Sequence, residues 1–247
     1  MPPAVSSALL IRLLASVAAA AAATVTGAQE MPTPTPMANA SGVFLNDAGD
    51  VLTARHAVAK CASLFAIKGT QVAQASVLAV SAEWDLAVLR TTLKPYLHAT
   101  LASTDAAATG SVGVFAEAYA VLQGLPERGA LLSNAMTVPG AEGLQLLSGV
   151  QPGASGSAVL NSAGLMLGVV VERVAAAPHA SGTALSRTAS MAGATGATQV
   201  RAVPASQVRQ FLTSHGIPFT QSDHSQLSPM QSTAARASTL SVGVLCG

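Results

Sequence analysis

Short apolar runs, each bounded by Gly, Pro, Asn or Asp, recur along this chain from Ser41 onward. They include Val43-Phe44-Leu45, Val51-Leu52-Thr53, Leu64-Phe65-Ala66-Ile67, Ser76 to Val80, Leu86 to Leu89 and Ser111 to Phe115. Leu144 to Leu147, Ser157 to Leu160 and Leu165 to Val174 continue the series. Runs of this length punctuated by turn residues are strands of a barrel or sandwich. Asn46-Asp47-Ala48-Gly49-Asp50 has turn chemistry, so the first two runs form a hairpin. Alternating strands and amphipathic helices, the mark of an α/β sheet, are largely missing. The abundant Ala favours helix, but the placement of Val, Gly and turn residues outweighs that prior. One helix is expected: Pro204 to His215 sets Val208, Phe211 and Leu212 on one face, with Gly216 and Pro218 just beyond.

The N-terminus has a different texture. Arg12 is followed by a small-apolar run, Leu13 to Ala23, and then by Thr26-Gly27-Ala28, where a signal peptidase finds small residues. Residues 1–28 therefore read as an export signal. An uncleaved membrane anchor is the rival, but the run falls short of the roughly 20 residues that span a bilayer. Contact with a membrane is expected only if that segment stays attached. Residues 29–40 are a Pro-rich linker, 41–220 the main domain, and 221–247 a flexible polar segment (Gln221 to Arg236) followed by a final strand, Thr239 to Cys246. Ala175 to Thr198 is low-complexity sequence, a long exposed loop or two poorly ordered strands.

Composition narrows the function. Charged residues are 9 % of the chain and the net charge is +1, so nothing invites nucleic acid. Aromatics are 3 %, which leaves Val, Leu, Ile and Ala to build the core. Cys61 and Cys246 are the only cysteines; in an oxidising compartment they would form a disulfide, and otherwise they are two buried thiols. A secreted or periplasmic location follows from the signal. His98, His179, His215 and His224 have no ligand spacing, so no metal is expected. His215, at the helix end, reads as a favourable C-terminal charge or a cap. There is no phosphate-binding glycine loop, and no cofactor is expected.

Three segments carry chemistry. His56 follows the strand Val51-Leu52-Thr53-Ala54, Asp85 heads the strand Leu86-Ala87-Val88-Leu89, and Ser155 lies in Gly153-Ala154-Ser155-Gly156-Ser157 ahead of another strand. A hydroxyl to attack, an imidazole to take its proton and a carboxylate to orient the imidazole are what serine-based acyl transfer needs. Each element alone is weak. Their order and their strand contexts together point to a nucleophilic triad. An α/β-hydrolase, with its histidine after the serine, fits poorly.

Val-Leu-Thr-Ala-Arg-His-Ala-Val, Asp-Leu-Ala-Val-Leu and Pro-Gly-Ala-Ser-Gly-Ser-Ala-Val-Leu resemble the three signature blocks of trypsin-like serine peptidases, nearest to the bacterial exported HtrA-type branch. The resemblance spans roughly Ser41 to Ile217. It implies an all-β fold of two perpendicular six-stranded β-barrels, chymotrypsin-like, with a C-terminal helix. His56 and Asp85 would come from one barrel and Ser155 from the other. The N–H groups of Gly153 and Ser155 would form the oxyanion hole, and Val171, Glu172 and Arg173 would pair with a polypeptide substrate. Gly149 would floor the primary pocket, which favours a small or medium apolar residue over Lys or Arg. Arg55 is bulky for its place before the histidine, and must point outward or pair locally. Ala154, in place of an Asp, argues against zymogen activation by a freed N-terminus, and Ser157 stands where Gly is more frequent. With few residues after Ile217, no PDZ module is expected. The alternative function is a trypsin-like fold that has lost activity and serves as a binding or scaffold module.

Overall fold

In the expected hairpin, β1 (Ala40–Phe44) pairs antiparallel with β2 (Asp50–Ala54), Val43 opposite Leu52. Asn46 builds the turn between them: its Oδ1 accepts from the N–H groups of Ala48 and Asp50, and its Nδ2 donates to Asp50. The computed structural model describes residues 38–105, 111–141, 143–174 and 198–247. The segment expected to be an export signal (1–28) and nearly all of the low-complexity stretch lie outside these residues.

β3 (Leu64–Lys68), β4 (Gln71–Gln74), β5 (Ser76–Ser81), β6 (Leu86–Arg90) and the last strand, β15 (Ser241–Cys246), complete the first sheet. Its order is β4-β3-β15-β1-β2-β6-β5, antiparallel throughout. The chain thus returns at its end to place β15 between its first and third strands, Val242 opposite Gly42 and Val244 opposite Ala66. Cys246 then reaches Cys61, and the two form a disulfide with Cα atoms 5.1 Å apart.

The second sheet holds β7 (Thr100–Ala102), β8 (Gly113–Val114), β9 (Ala135–Thr137), β10 (Leu144–Ser148), β11 (Ala158–Leu160), β12 (Met166–Val174), β13 (Thr198–Pro204) and β14 (Thr220–Ser222). The order is β14-β7-β12-β13-β10-β9-β8, with β11 on β12. The two sheets curl into half-barrels, the chymotrypsin-like two-barrel fold that the resemblance implied. They hold seven and eight strands rather than six each, because β15 joins the first and the short β7 and β14 extend the second. A single apolar cluster joins them, with Val43, Leu52 and Val88 on one side and Leu160, Val169 and Phe211 on the other.

Among the described residues three α-helices lie against the sheets: α1 (Tyr119–Gly124), α2 (Ala205–Ser214) and α3 (Thr233–Leu240). α2 is the expected helix, with Pro204 and His215 as its caps and Val208, Phe211 and Leu212 buried. His215 Nδ1–H donates to the Phe211 carbonyl at 2.9 Å, which satisfies one of the carbonyls a helix end leaves open. α3 departs from expectation. Residues 221–236, read as polar and flexible, contain most of β14 and the first half of α3, which runs directly into β15. The Ser232 hydroxyl caps it by accepting from Ala235 N–H at 3.0 Å. The Lys68 ammonium closes its other end, donating to the carbonyls of Ser238, Thr239 and Ser241. No helix among the described residues is long and apolar enough to cross a membrane.

Candidate active site

The β2–β6 ladder ends with Ala54 opposite Leu86, and one more bond, Arg55 N–H to the Asp85 carbonyl at 2.8 Å, extends it. That register puts Asp85 beside His56, which sits in a short 3₁₀ turn, Arg55–Ala57. Asp85 has φ +54°, a left-handed conformation that Asp tolerates better than most residues. Its Oδ1 accepts the His56 backbone N–H at 3.0 Å, and its Oδ2 lies 2.5 Å from His56 Nδ1. The carboxylate thereby selects the tautomer with hydrogen on Nδ1 and leaves Nε2 as an acceptor.

Ser155 comes from the second sheet, in the turn between β10 and β11. Its Oγ lies 3.0 Å from His56 Nε2, so the hydroxyl can donate to the imidazole. Gly156 must be glycine twice over: its φ is +90°, and a Cβ there would stand 2.0 Å from the Ser41 carbonyl oxygen. Gly153 shares the +90° conformation. The Ala154 carbonyl turns inward to accept Ser157 N–H at 2.8 Å. In a trans peptide the opposite group, Ser155 N–H, then faces the other way. Neither Gly153 N–H nor Ser155 N–H has a hydrogen-bond partner among the described residues, and both are free to meet an oxyanion.

The structure thus brings His56, Asp85 and Ser155 into one hydrogen-bonded line with two open N–H donors beside it. Arg55 pairs locally, its Nε 3.7 Å from Asp85 Oδ1. Trp84 packs against the shared core. β12 is tied to the nucleophile turn by Gly156 N–H to the Val170 carbonyl (2.7 Å) and Val170 N–H to the Ser157 carbonyl (2.9 Å). Val171, the next residue, falls at a bulge in the β12–β13 ladder and is buried. The exposed Glu172 pairs with Arg201 at 2.9 Å, and Arg173 Nε donates to Thr198 Oγ1 at 3.0 Å. Gly149 is exposed between buried Ser148 and Val150. Among the described residues no group of His, Cys, Asp and Glu is placed to hold a metal.

Residues 40–169 match the family model of the trypsin-like peptidase domain, more than half of the chain. The chain belongs to that family. Among solved structures this trypsin-like chain is similar in fold to an HtrA-type protease, AlgW with decapeptide, at TM-score 0.51 and 21% identity. The match covers 72% of this chain and 53% of that one, so the chain spans about half the length of that structure. A serine-to-alanine mutant of Rv3671c from M. tuberculosis H37Rv, in an inactive form, matches at TM-score 0.47 and 18% identity, over 72% of this chain and 81% of that one. No curated protein matches the chain.

One residue beside the trypsin-like site carries no sequence signal. Ser41, fully buried on β1, donates its backbone N–H to the Ser155 carbonyl (2.9 Å) and its hydroxyl to the Gly153 carbonyl (2.7 Å). The same hydroxyl accepts Tyr119 N–H at 2.8 Å, and the Ser41 carbonyl accepts Thr53 Oγ–H at 2.6 Å. Ser41 therefore clamps both ends of the tripeptide that holds the serine. Gly153 and Ser155 lie more than a hundred residues away from it in sequence, and only the fold brings them together.

Proposed function

We propose that this chain is a serine endopeptidase acting through His56, Asp85 and Ser155. The observation that carries the reading is the unbroken line from Asp85 Oδ2 through the imidazole to Ser155 Oγ, at 2.5 and 3.0 Å. His56 Nε2 takes the hydroxyl proton as Oγ attacks the scissile carbonyl carbon. The carbonyl's electron pair moves onto its oxygen, which Gly153 N–H and Ser155 N–H receive. The imidazolium, held by Asp85, gives its proton to the leaving amine, and an acyl ester remains on Ser155. Water, deprotonated by the same imidazole, then hydrolyses that ester and restores the serine. Neither a metal nor a cofactor is needed for these steps.

The substrate is a polypeptide chain. The end of β12 beside the nucleophile turn, where Glu172 and Arg173 are exposed, supports substrate pairing along Val171, Glu172 and Arg173 as an added strand. A Cβ on Gly149 would touch nothing within 4 Å, and Glu172 is engaged by Arg201, which supports a small or medium apolar residue at the cleaved bond. The Cys61–Cys246 disulfide supports a location outside the cytoplasm, secreted or periplasmic. Hydrolysis of a peptide library, read by mass spectrometry, tests the whole reading. We expect cleavage after small or apolar residues, lost by about six orders of magnitude in Ser155→Ala and in His56→Ala. Cleavage that survives in Ser155→Ala would overturn the assignment, and none in the folded wild type would make the chain a binding module.

A further inference from the structure

Arg236, on α3, is only 4 % exposed and yet has no carboxylate partner among the described residues. Its Nε donates to the Gly164 carbonyl and its Nη1 to the Gln226 carbonyl, both at 2.9 Å. A guanidinium carries five N–H donors in a planar fork. The Nη2 donors have no partner among the described residues, and the side chain lines a cavity of about 480 Å³. Burial disfavours the charged form and pulls its pKa below the ordinary value. A buried cation held only by neutral carbonyls is costly unless something negative meets it.

The rest of the cavity wall is suited to an anion. It is largely neutral and polar, with Thr220, Gln226, Ser228 and Gln231 contributing hydroxyls and amides. Gln231 Oε1 already accepts Ser228 N–H at 3.3 Å, so the amide nitrogen of Gln231 remains available to donate. The one carboxylate in the wall, Asp47, is almost fully exposed and is bound 3.0 Å from His98 Nδ1. His98 is itself occupied on its other side, with Nε2 3.2 Å from Thr220 Oγ1. Asp47 and His98 are thus paired to each other at the rim, Tyr96 is the remaining titratable group of the wall, and the buried charge of Arg236 stays unmatched.

We propose that this cavity is a binding site for a small oxyanion, a carboxylate or phosphate group, seated on Arg236 with Gln231 as a second donor. The two oxygens of such a group match the guanidinium fork. The site is separate from the Ser155 machinery, and its test needs no activity. Calorimetric titration of the full chain with sodium phosphate and with sodium acetate, against sodium chloride at equal ionic strength, reads it directly. Arg236 also ties two loops, so the decisive variant is Gln231→Glu, which keeps the acceptor for Ser228 N–H and adds a negative charge. We expect saturable binding of phosphate or acetate beyond chloride, and binding at least about tenfold weaker in Gln231→Glu, whose melting temperature is unchanged or raised because the new carboxylate meets Arg236. Saturation by phosphate alone marks a phosphate site, and saturation by acetate a carboxylate site. Titrations that match chloride for both anions, or a Gln231→Glu protein that binds as the wild type does, would overturn the proposal.

Discussion

Ser41→Ala removes one oxygen and leaves the nucleophile in place. The Gly153 carbonyl loses its donor and Tyr119 N–H its acceptor, both around a residue with no exposed surface. Buried polar groups left unpaired cost about 1–3 kcal/mol each, so stability should fall by about 2–6 kcal/mol. The backbone bond from Ser41 N–H to the Ser155 carbonyl survives, which keeps the serine anchored. What loosens is Gly153, whose N–H is one of the two proposed oxyanion donors. Outright loss of such a donor costs about 10²–10³ in kcat, so a loosened one should cost about 10- to 100-fold, with KM within about twofold. The assay is steady-state hydrolysis of a chromogenic peptide ester, run beside urea unfolding of the same preparation. A protein destabilised as expected but with kcat within about threefold of wild type would refute the positioning role and leave Ser41 a packing residue.

Three further outcomes follow from named contacts. Replacing both Cys61 and Cys246 by Ser opens a crosslink between residues 185 apart in sequence, worth up to about 5 kcal/mol by loop entropy. We expect a loss below that ceiling, since β15 keeps its ladders to β1 and β3, and a loss under about 1 kcal/mol in urea would contradict the account. Ser157 is buried and its hydroxyl has no partner among the described residues, so Ser157→Ala should stabilise by about 1 kcal/mol; a lowered urea midpoint would show a bond that the geometry misses. Burial, with the Arg128 charge adding to it, lowers the Lys68 pKa from 10.5 to about 8. Between those values the unfolded chain holds a proton that the folded chain lacks, so this contribution to stability rises as pH climbs from about 8 toward 10.5. Melting curves across that range should show the rise in wild type and its absence in Lys68→Met, and identical slopes would refute it.

Much of the fold was legible because strand-forming runs are local. The expected strands at Val51, Leu64, Ser76, Leu86, Leu144 and Leu165 all appear, as does the helix after Pro204. Those that escaped notice lack an unbroken apolar run or are very short: β4 is Gln-Val-Ala-Gln, β7 Thr-Leu-Ala, β9 Ala-Met-Thr, β13 Thr-Gln-Val-Arg-Ala-Val-Pro and β14 Thr-Gln-Ser. α3 was hidden because its buried face contains Thr233 and Arg236 as well as Ala and Leu, so no hydrophobic stripe marks it. The alternation near the C-terminus announced a strand, but not its insertion between β1 and β3, since register is set by partners far away. The same distinction holds at the site. His56, Asp85 and Ser155 stand in local motifs, whereas Ser41 gains its meaning from Gly153 and Ser155 across the molecule. Arg236 is hidden in the same way: its burial depends on Gly164 and Gln226 folding around it.

The central claim is that the Ser155 hydroxyl is activated by the His56–Asp85 pair. A fluorophosphonate probe reads it most directly, because the probe bonds only to a serine whose proton has somewhere to go. On the full folded chain the account predicts one adduct, located on Ser155 by peptide mass spectrometry, and none in Ser155→Ala or His56→Ala. Absence of labelling in the folded wild type, or an adduct on any other residue, would contradict it.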